Sequence, residues 1–364
     1  MDYRFIIKAG WLVFVLISCT NSQLPQGMPK FLNNRILVAT TTNFETGALA
    51  VFDPLELHFN LHFSSIHPDS VPKRIHGFSD VFVLNRLGGD NIQRVDRFTG
   101  RTLSQRSLGR GSNPQDIEKI AEDVFVTLLN DTKVLIWDLE QGNKKGEVDL
   151  TSFADLDGFP EPAQMQFVEG YLWIQIQRLN RLKSFTPNGE SQIAVIDPSR
   201  RSIVDQISLK GTNPVTPFKI GYDQTFWVAN AGFVGAKSQL DGGIERLDPF
   251  QRESLGFVIS EEELGGDLVD FECASKRACV AIVSSPQTKL IQFDPDHGKK
   301  IRTLWTSSGY HLLQILRDSK TKLLYLVDSN PEDPSVRVWS EETLDEIKEN
   351  KWSLELPPYQ IEWF

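Results

Sequence analysis

Cysteine and histidine are scarce in this sequence, which has three cysteines and six histidines among its 364 residues. Zinc and other transition metals are bound mainly through these side chains, so the sequence leaves little room for such sites. The H-E-x-x-H, G-x-S-x-G, Walker A and dinucleotide-binding motifs are also absent. Their absence makes an enzyme less expected, but it leaves open an active site whose residues are scattered along the chain.

Positive charge is in deficit, because 38 Lys and Arg residues stand against 48 Asp and Glu residues, a formal net charge of −10. Electrostatic attraction to nucleic acid or to an anionic membrane needs the opposite sign, so we expect no nucleic-acid partner. The chain is 40% hydrophobic and 24% charged. This ordinary globular balance excludes a largely disordered chain and a polytopic membrane protein.

Long apolar runs are missing except near the start, where residues 9–17 are apolar apart from one glycine and follow Arg4 and Lys8. The run is shorter than the roughly twenty residues of a membrane-spanning helix. A basic start followed by a short apolar run is typical of a secretion signal, so residues 1–18 are assigned to a signal peptide. Residues 19–33 have no period and are rich in Asn, Gln, Ser and Pro, which predicts a tether.

The signal ends in Leu16-Ile17-Ser18-Cys19, which resembles the bacterial lipobox. That resemblance implies that Cys19 is diacylated and anchors an exported protein in the cell envelope, with the membrane contacted through the lipid only. Thr20 is not the Asp associated with inner-membrane retention, which favours the outer membrane in a cell with two membranes. The alternative is an ordinary signal peptide with an incidental cysteine.

A repeated unit fills residues 34–364. Each unit has an apolar strand that ends in Asp, often followed by Pro and a short polar turn, and the spacing between successive units is 42 to 59 residues. A second apolar or aromatic strand precedes each of these. The Asp-ending strands, with Ser in the seventh, are Val51-Phe52-Asp53, Arg94-Val95-Asp96, Ile136-Trp137-Asp138, Val195-Ile196-Asp197, Arg246-Leu247-Asp248, Gln292-Phe293-Asp294 and Val338-Trp339-Ser340.

This period predicts four-stranded propeller blades with strands A to D from the centre outward. The first unit lacks an A strand, and the seventh is followed by a spare one, Pro358 to Phe364. We therefore predict an all-β, seven-bladed β-propeller of antiparallel blades, closed into a ring by the C-terminal strand. It forms a single domain over residues 34–364.

The strand Phe226-Trp227-Val228-Ala229-Asn230, the Ile-Asp-Pro strands, and the segments Gly111-Ser112-Asn113-Pro114 and Gly211-Thr212-Asn213-Pro214 resemble the YVTN-repeat seven-bladed propellers, especially their bacterial lipoprotein members. The resemblance covers residues 35–364. It implies the fold but not one function, because that family includes ligand-binding, surface-layer and uncharacterised proteins.

Three long loops of blades 4 and 5 are expected at one end of the propeller, where B–C and D–A loops emerge, while the short C–D turns lie at the other end. Binding residues are usually found on such loops. The three loops are 150–162, 177–191 and 230–243, and the candidate ligand-binding or partner-binding residues on them are Asp155, Asp157, Glu161, Arg178, Arg181 and Asn230.

Three interpretations of these charges remain open. The carboxylates could hold Ca²⁺, although they fall short of a full calcium loop; the arginines could bind an anion; or acids and bases could pair with each other and order the loops. Calcium is the one cofactor that these loop residues suggest, and the identity of any other metal or cofactor is left open.

Cys273 and Cys279 flank a five-residue segment between strands A and B of blade 6. A disulfide across this hairpin would suit an exported protein. Two buried thiols are the alternative, and redox catalysis is disfavoured because such sites usually have C-x-x-C spacing.

The function expected from these features is a non-catalytic binding or interaction module that presents the long loops of blades 4 and 5 to a protein, a glycan or a small anionic ligand. The alternative is a propeller enzyme, either a metal-assisted hydrolase of the lactonase type or a quinone-dependent dehydrogenase.

The lipobox predicts that Cys19→Ala abolishes both lipid labelling and membrane fractionation, because the thiol is the acylation site. Metabolic labelling with a radioactive or clickable fatty acid measures the first, and cell fractionation the second. A variant that keeps both properties would show that Cys19 is not the anchor.

Overall fold

The computed structural model describes residues 35–54, 58–235 and 237–364; Cys19 and the predicted signal and tether lie outside these residues. Within them, one α-helix, α1, spans Glu261–Leu264, and 3₁₀ turns occur at Thr151–Phe153, Arg181–Lys183 and Lys348–Asn350. The strands in chain order are β1 Leu37–Thr42, β2 Gly47–Asp53, β3 His58–Ile66, β4 Ser70–Lys73, β5 Val81–Asn85, β6 Asn91–Val95, β7 Thr102–Ser107, β8 Pro114–Ile120, β9 Asp123–Leu128, β10 Lys133–Asp138, β11 Asn143–Asp149, β12 Pro162–Val168, β13 Tyr171–Ile176, β14 Leu179–Asn180, β15 Thr186–Pro187, β16 Gln192–Asp197, β17 Ser202–Ser208, β18 Lys219–Ile220, β19 Phe226–Asn230, β20 Gly243–Asp248, β21 Glu253–Ser260, β22 Asp267–Cys273, β23 Cys279–Ser285, β24 Gln287–Asp294, β25 Lys299–Thr306, β26 Leu312–Asp318, β27 Leu323–Asp328, β28 Ser335–Ser340, β29 Trp352–Ser353 and β30 Pro358–Trp363.

These strands form seven four-stranded antiparallel sheets, and each sheet contacts the next one around the ring. The predicted seven-bladed β-propeller is therefore confirmed. The predicted Asp-ending strands are the C strands, and the apolar strands before them are the B strands. From A to D, the blades are β30-β1-β2-β3, β4 to β7, β8 to β11, β12-β13-β16-β17, β18 to β21, β22 to β25 and β26 to β29.

The hydrophobic core consists of seven separate clusters, one between each pair of neighbouring blades. Each blade has two apolar faces, and alternate residues of a strand point to opposite faces. In the B strand of blade 3, for example, Phe125 packs towards blade 4 and Val126 packs towards blade 2. This explains why B strands such as β5, β9, β13 and β27 are almost continuously apolar rather than alternating between apolar and polar residues.

The recurring Asp at the end of strand C forms the C–D turn. Asp96 Oδ1 accepts hydrogen bonds from the amides of Phe98 and Thr99 at 3.0 and 2.8 Å. Equivalent bonds occur at Asp138, Asp197, Asp248 and Asp294. Ser340 makes the same two bonds through its hydroxyl. The repeat signal is therefore a structural one, since Asp and Ser side chains mimic a backbone turn.

The ring closes where the first and last strands meet in blade 1. β30 pairs antiparallel with β1, and Ile36 and Phe364 exchange backbone hydrogen bonds of 3.0 and 2.9 Å. The Arg35 guanidinium lies 4.1 Å from the centre of the Trp363 ring and forms an ion pair with Asp318 of blade 7. Closure by the C-terminal strand is thus confirmed, and it also ties blade 1 to blade 7.

Some details differ from the expected pattern of uniform blades. A two-stranded sheet, β14 and β15, forms within the B–C loop of blade 4. In blade 7 the outer strand β29 is only two residues long, and after the turn at Ser340 the chain runs back beside β28 through an isolated bridge between Trp339 and Glu346. Neither feature repeats along the chain, so the blade period contained no signal for it.

Cys273 and Cys279 form a disulfide, as predicted. They are opposed residues at the end of the β22–β23 hairpin, with Cα atoms 4.0 Å apart. The bond closes the A–B turn of blade 6, at the end of the propeller opposite the long loops.

Deleting residues 358–364 should cause the soluble yield to collapse. The deletion exposes the edge of β1 and removes the buried side chains of Ile361, Trp363 and Phe364. Each large buried side chain contributes about 1.5–3 kcal/mol, against a total stability of about 5–15 kcal/mol. Soluble expression and dye binding to exposed apolar surface measure the effect.

The matched control removes residues 20–33, the predicted tether, and should leave the yield unchanged. If the protein without residues 358–364 were obtained in the same soluble yield as the full-length protein, closure of the ring by the C-terminal strand would be contradicted.

Candidate functional site

The three long loops emerge at the end of the ring that carries all B–C and D–A connections, which we call the loop face. The opposite end, with the A–B and C–D connections, is the turn face. Residues 150–161 join blades 3 and 4, residues 177–191 lie within blade 4, and residues 231–242 lie within blade 5. The strand directions predicted this common end, and the sheet topology confirms it.

The two loops of blade 4 are joined by ionic and hydrogen bonds. Arg181 Nε donates to Glu161 Oε1 at 2.8 Å, and the Arg181 amide donates to Asp157 Oδ2 at 2.7 Å. Asn188 Nδ2 donates to Asp155 Oδ2 at 2.7 Å. The Arg178 amide donates a hydrogen bond to Pro160 O, and the Arg178 guanidinium donates one to Glu190 O. Five of the six predicted site residues thus come together, and their polar groups are largely used in holding the two loops.

Burial and hydrogen bonds together set the pKa values of these carboxyl groups. Glu161 is completely buried, and burial raises its pKa to about 7 although Arg181 and the amide of Leu179 act in the opposite direction. Burial also acts to raise the pKa of Asp155, but hydrogen bonds from the Asp157 amide and from Asn188 outweigh it and lower that pKa overall. The carboxylates therefore serve as acceptors within the loops.

The backbone of these loops is strained. Glu161, Arg178, Ser184 and Phe185 have φ values of 49°, 55°, 55° and 58°, in the left-handed region that non-glycine residues seldom adopt. Such conformations persist where surrounding contacts over-determine them, and they are frequent at functional sites. Here the ion pair and hydrogen bonds between the loops supply those contacts.

Asn230, the sixth predicted residue, is buried at the base of the blade 5 loop. Its Nδ2 donates to Glu245 Oε2 at 2.7 Å, and Glu245 also accepts from the amides of Lys210 and Gly211. A Cβ atom at Gly211 would lie 2.5 Å from the Asn230 side chain, so only glycine allows this approach. Asn230 therefore supports the loop from below.

Asn213 connects the loops of blades 4 and 5. Its Oδ1 accepts from Gln177 Nε2 at 3.1 Å, and its Nδ2 donates to Gly232 O at 3.0 Å. The three long loops consequently form one continuous surface. The paired Gly-x-Asn-Pro segments indicated a shared structure, but the sequence contained no sign of this bridging role.

A cavity of about 610 Å³ opens on the loop face between blades 5 and 6. Val215, Val234 and Leu268 supply apolar walls, and Lys237 and Tyr310 lie at its edge. Sequence reasoning missed these residues, because they come from four separated segments and share no motif.

Glu261, the first residue of α1, anchors the far end of the blade 5 loop. Its two carboxyl oxygens accept from the amides of Gly242 and Leu268 at 2.8 and 2.6 Å. Burial raises its pKa to about 7, with Asp267 and Asp241 acting in the same direction and the two amides opposing. The protonation state of Glu261 is thus linked to the loop that borders the cavity.

Large apolar side chains lie at the tips of these ordered loops. Leu156 is 95% exposed between Asp155 and Asp157, and Leu182 is 86% exposed next to Arg181. Contiguous exposed apolar groups mark interaction surfaces, whereas apolar side chains exposed singly are ordinary. Leu156 and Leu182 lie on two loops that hydrogen bonds join to each other. An apolar residue inside a turn-forming segment, as in Asp155-Leu156-Asp157-Gly158, was the available sequence signal for this feature.

In residues 35–54, 58–235 and 237–364, no group of three or more His, Cys, Asp or Glu side chains is arranged to hold a metal ion. No helix in this part of the chain has the length and apolar character needed to span a bilayer.

No protein-family model matches the chain, and no curated protein matches it. Solved structures with the same fold are similar at low identity. A putative 6-phosphogluconolactonase from Bacteroides uniformis is 12% identical, covering 91% of this chain and 99% of that one with a TM-score of 0.58. The dihydro-heme d1 dehydrogenase NirN is 12% identical, covering 95% and 78% with a TM-score of 0.54. Apo AztD from Citrobacter koseri is 12% identical, covering 91% and 98% with a TM-score of 0.51. These likenesses establish the propeller fold alone.

Glu261→Gln should reduce the pH dependence of stability. A carboxyl group whose pKa is higher in the folded protein than in the unfolded chain holds its proton more tightly when folded. The free energy of unfolding therefore falls as pH rises from about 4.5 to about 7. Replacing Glu261 should remove on the order of 2–3 kcal/mol of this fall. Urea unfolding at pH 5 and pH 8 measures it.

The control is Glu262→Gln at the exposed neighbouring position, which should leave the pH dependence as in the wild type. If Glu261→Gln and the wild type lose the same stability between the two pH values, Glu261 does not titrate as described.

Proposed function

We propose that the protein is a lipid-anchored propeller of the bacterial cell envelope that binds a protein, glycan or small anionic ligand through the loop face of blades 4 and 5, without catalysis. The observation that carries the proposal is the exposure of Leu156 and Leu182 on strained loops that buried ionic contacts hold in place. Fixed loops lose little conformational entropy when they bind, which favours affinity.

In this proposal, one set of residues holds the loops in position and another set contacts the ligand or partner. Asp155, Asp157, Glu161, Arg178 and Arg181 hold the loops, because their polar groups bond mainly to each other and to loop backbone. Asn230 supports the neighbouring loop in the same way. The atoms that contact the ligand or partner are then those of Leu156 and Leu182 at the loop tips, together with the exposed charged groups around them.

The position of residue 36 is compatible with an anchor near the N-terminus. Ile36 pairs with Phe364 at the turn face of blade 1, opposite the loop face. A lipid on Cys19 would therefore be attached at the end of the ring away from the long loops. This arrangement supports a loop face that is free to meet a partner.

A catalytic function is the second candidate, and the cavity between blades 5 and 6 is the observation that favours it, because its volume suits a small molecule. The lactonase and dehydrogenase named among the similar structures share only the fold with this chain. Metal content, and melting temperature with and without a chelator, separate a metal-assisted hydrolase from a binding protein.

The adjacent residues Arg181 and Leu182 provide a matched test of the binding proposal. Arg181→Ala leaves Glu161 buried without its cation, which should cost about 3–5 kcal/mol of stability. Leu182→Ser changes an exposed tip and should keep the melting temperature. A photoreactive amino acid at position 156, in the full chain in its own envelope, should give adducts that Leu182→Ser weakens.

The same photoreactive group at Phe250, a 72% exposed residue in a C–D turn of the turn face, is the control and should give none of these adducts. Adducts from position 250 alone would assign binding to the turn face and reject the proposal.

A further inference from the structure

Exposed apolar side chains are concentrated on the loop face of the whole ring, beyond blades 4 and 5. Within the described ranges, nine large apolar side chains are more than half exposed, and six of them lie on this face. They come from the connections of blades 1, 2, 4 and 5 and from those that join blades 3 to 4 and 6 to 7. The six residues are Phe44, Leu87, Leu156, Leu182, Val234 and Tyr310.

The loop face is also acidic. Its connections contain seven basic residues against fifteen acidic ones. Asp90, Glu161 and Glu261 among the acidic residues are buried, so twelve acidic and seven basic residues are left at the surface, a formal net charge of −5. The connections are residues 43–46, 67–69, 86–90, 108–113, 129–132, 150–161, 177–191, 209–218, 231–242, 261–266, 286, 307–311, 329–334 and 354–357.

The combination of apolar tips and negative charge favours some binding partners of the loop face over others. Bilayers rich in anionic lipid attract basic surfaces and repel acidic ones. A second copy of the chain would bring two acidic faces together, and like charges across an interface are unfavourable. A surface with basic groups around apolar pockets complements both properties of the loop face.

We infer that the occupant of the loop face is a protein whose surface carries Lys and Arg residues around apolar pockets that receive the loop tips. This inference rests on the proposed binding function and names the class of partner. The apolar tips supply the contacts that are desolvated on docking, as the central residues of protein interfaces do. The acidic residues around them speed association and select against acidic surfaces.

The test measures the affinity of the full-length protein for a fluorescent amphipathic peptide of Leu and Lys, and for a matched peptide of Leu and Glu. The Leu/Lys peptide should bind and the Leu/Glu peptide should not. The double variant Leu156→Ser/Leu182→Ser should weaken binding about tenfold. The charge reversal Glu45→Lys/Glu332→Lys, at exposed positions in the B–C loops of blades 1 and 7, should weaken it several-fold at low salt and less at high salt.

Matched controls lie on the turn face, where Phe250→Ser and Glu122→Lys/Glu342→Lys, at exposed positions, should leave peptide affinity unchanged. Vesicles of phosphatidylethanolamine and phosphatidylglycerol should not bind through the tips, and sedimentation should detect no tip-dependent dimer.

Tip-dependent binding to these vesicles, tip-dependent dimerisation, equal affinity for both peptides, or affinity raised by the charge reversal would overturn the inferred partner class. Each of these results leaves the proposed function intact if position 156 still gives adducts in the envelope. Loss of those adducts rejects the proposed function itself.

Discussion

Closure of the ring is the constraint on which the other features depend. A blade has two apolar faces, and each is covered only when a neighbouring blade lies against it. An open ring would leave two such faces in water, in addition to the unpaired edge of β1. At this one junction, β30 pairs with β1 and Arg35 contacts Trp363 and Asp318. These contacts cover the two apolar blade faces and the edge of β1. The stability of every blade is therefore linked to the residues at both ends of the described chain.

Once the ring is closed, its two ends are built differently. At the turn face, Asp or Ser side chains form short turns of one type, and the disulfide closes the A–B turn of blade 6. At the loop face the connections vary in length, and buried carboxyl groups order them. Glu161, Glu245 and Glu261 each accept backbone amides from a neighbouring connection. A carboxylate has two acceptor oxygens and can hold two segments at once, which suits connections without regular structure.

This method of ordering the loops determines what the loop face presents to solvent. Polar side chains that would ordinarily be exposed are turned towards each other, while leucine side chains occupy the tips. A rigid apolar tip within an acidic surface suits recognition of a complementary protein, since the tip supplies contact area and the surrounding charge supplies selectivity.

The blade number, the strand order within each blade and the closing strand could all be predicted from the sequence, which also favoured the disulfide over two buried thiols. These features recur or lie close together along the chain, and the Asp turns mark every unit at a readable spacing. It also located the long loops at one end, because antiparallel strands leave no other choice. How the charged residues of the loops pair with each other could not be predicted in this way and became evident from the folded structure. Arg181 forms an ion pair with Glu161, twenty residues away in the sequence, Asn213 bridges two blades, and the cavity lining comes from five segments. Such contacts depend on the distance between blades in the closed ring, which no local pattern of residues encodes.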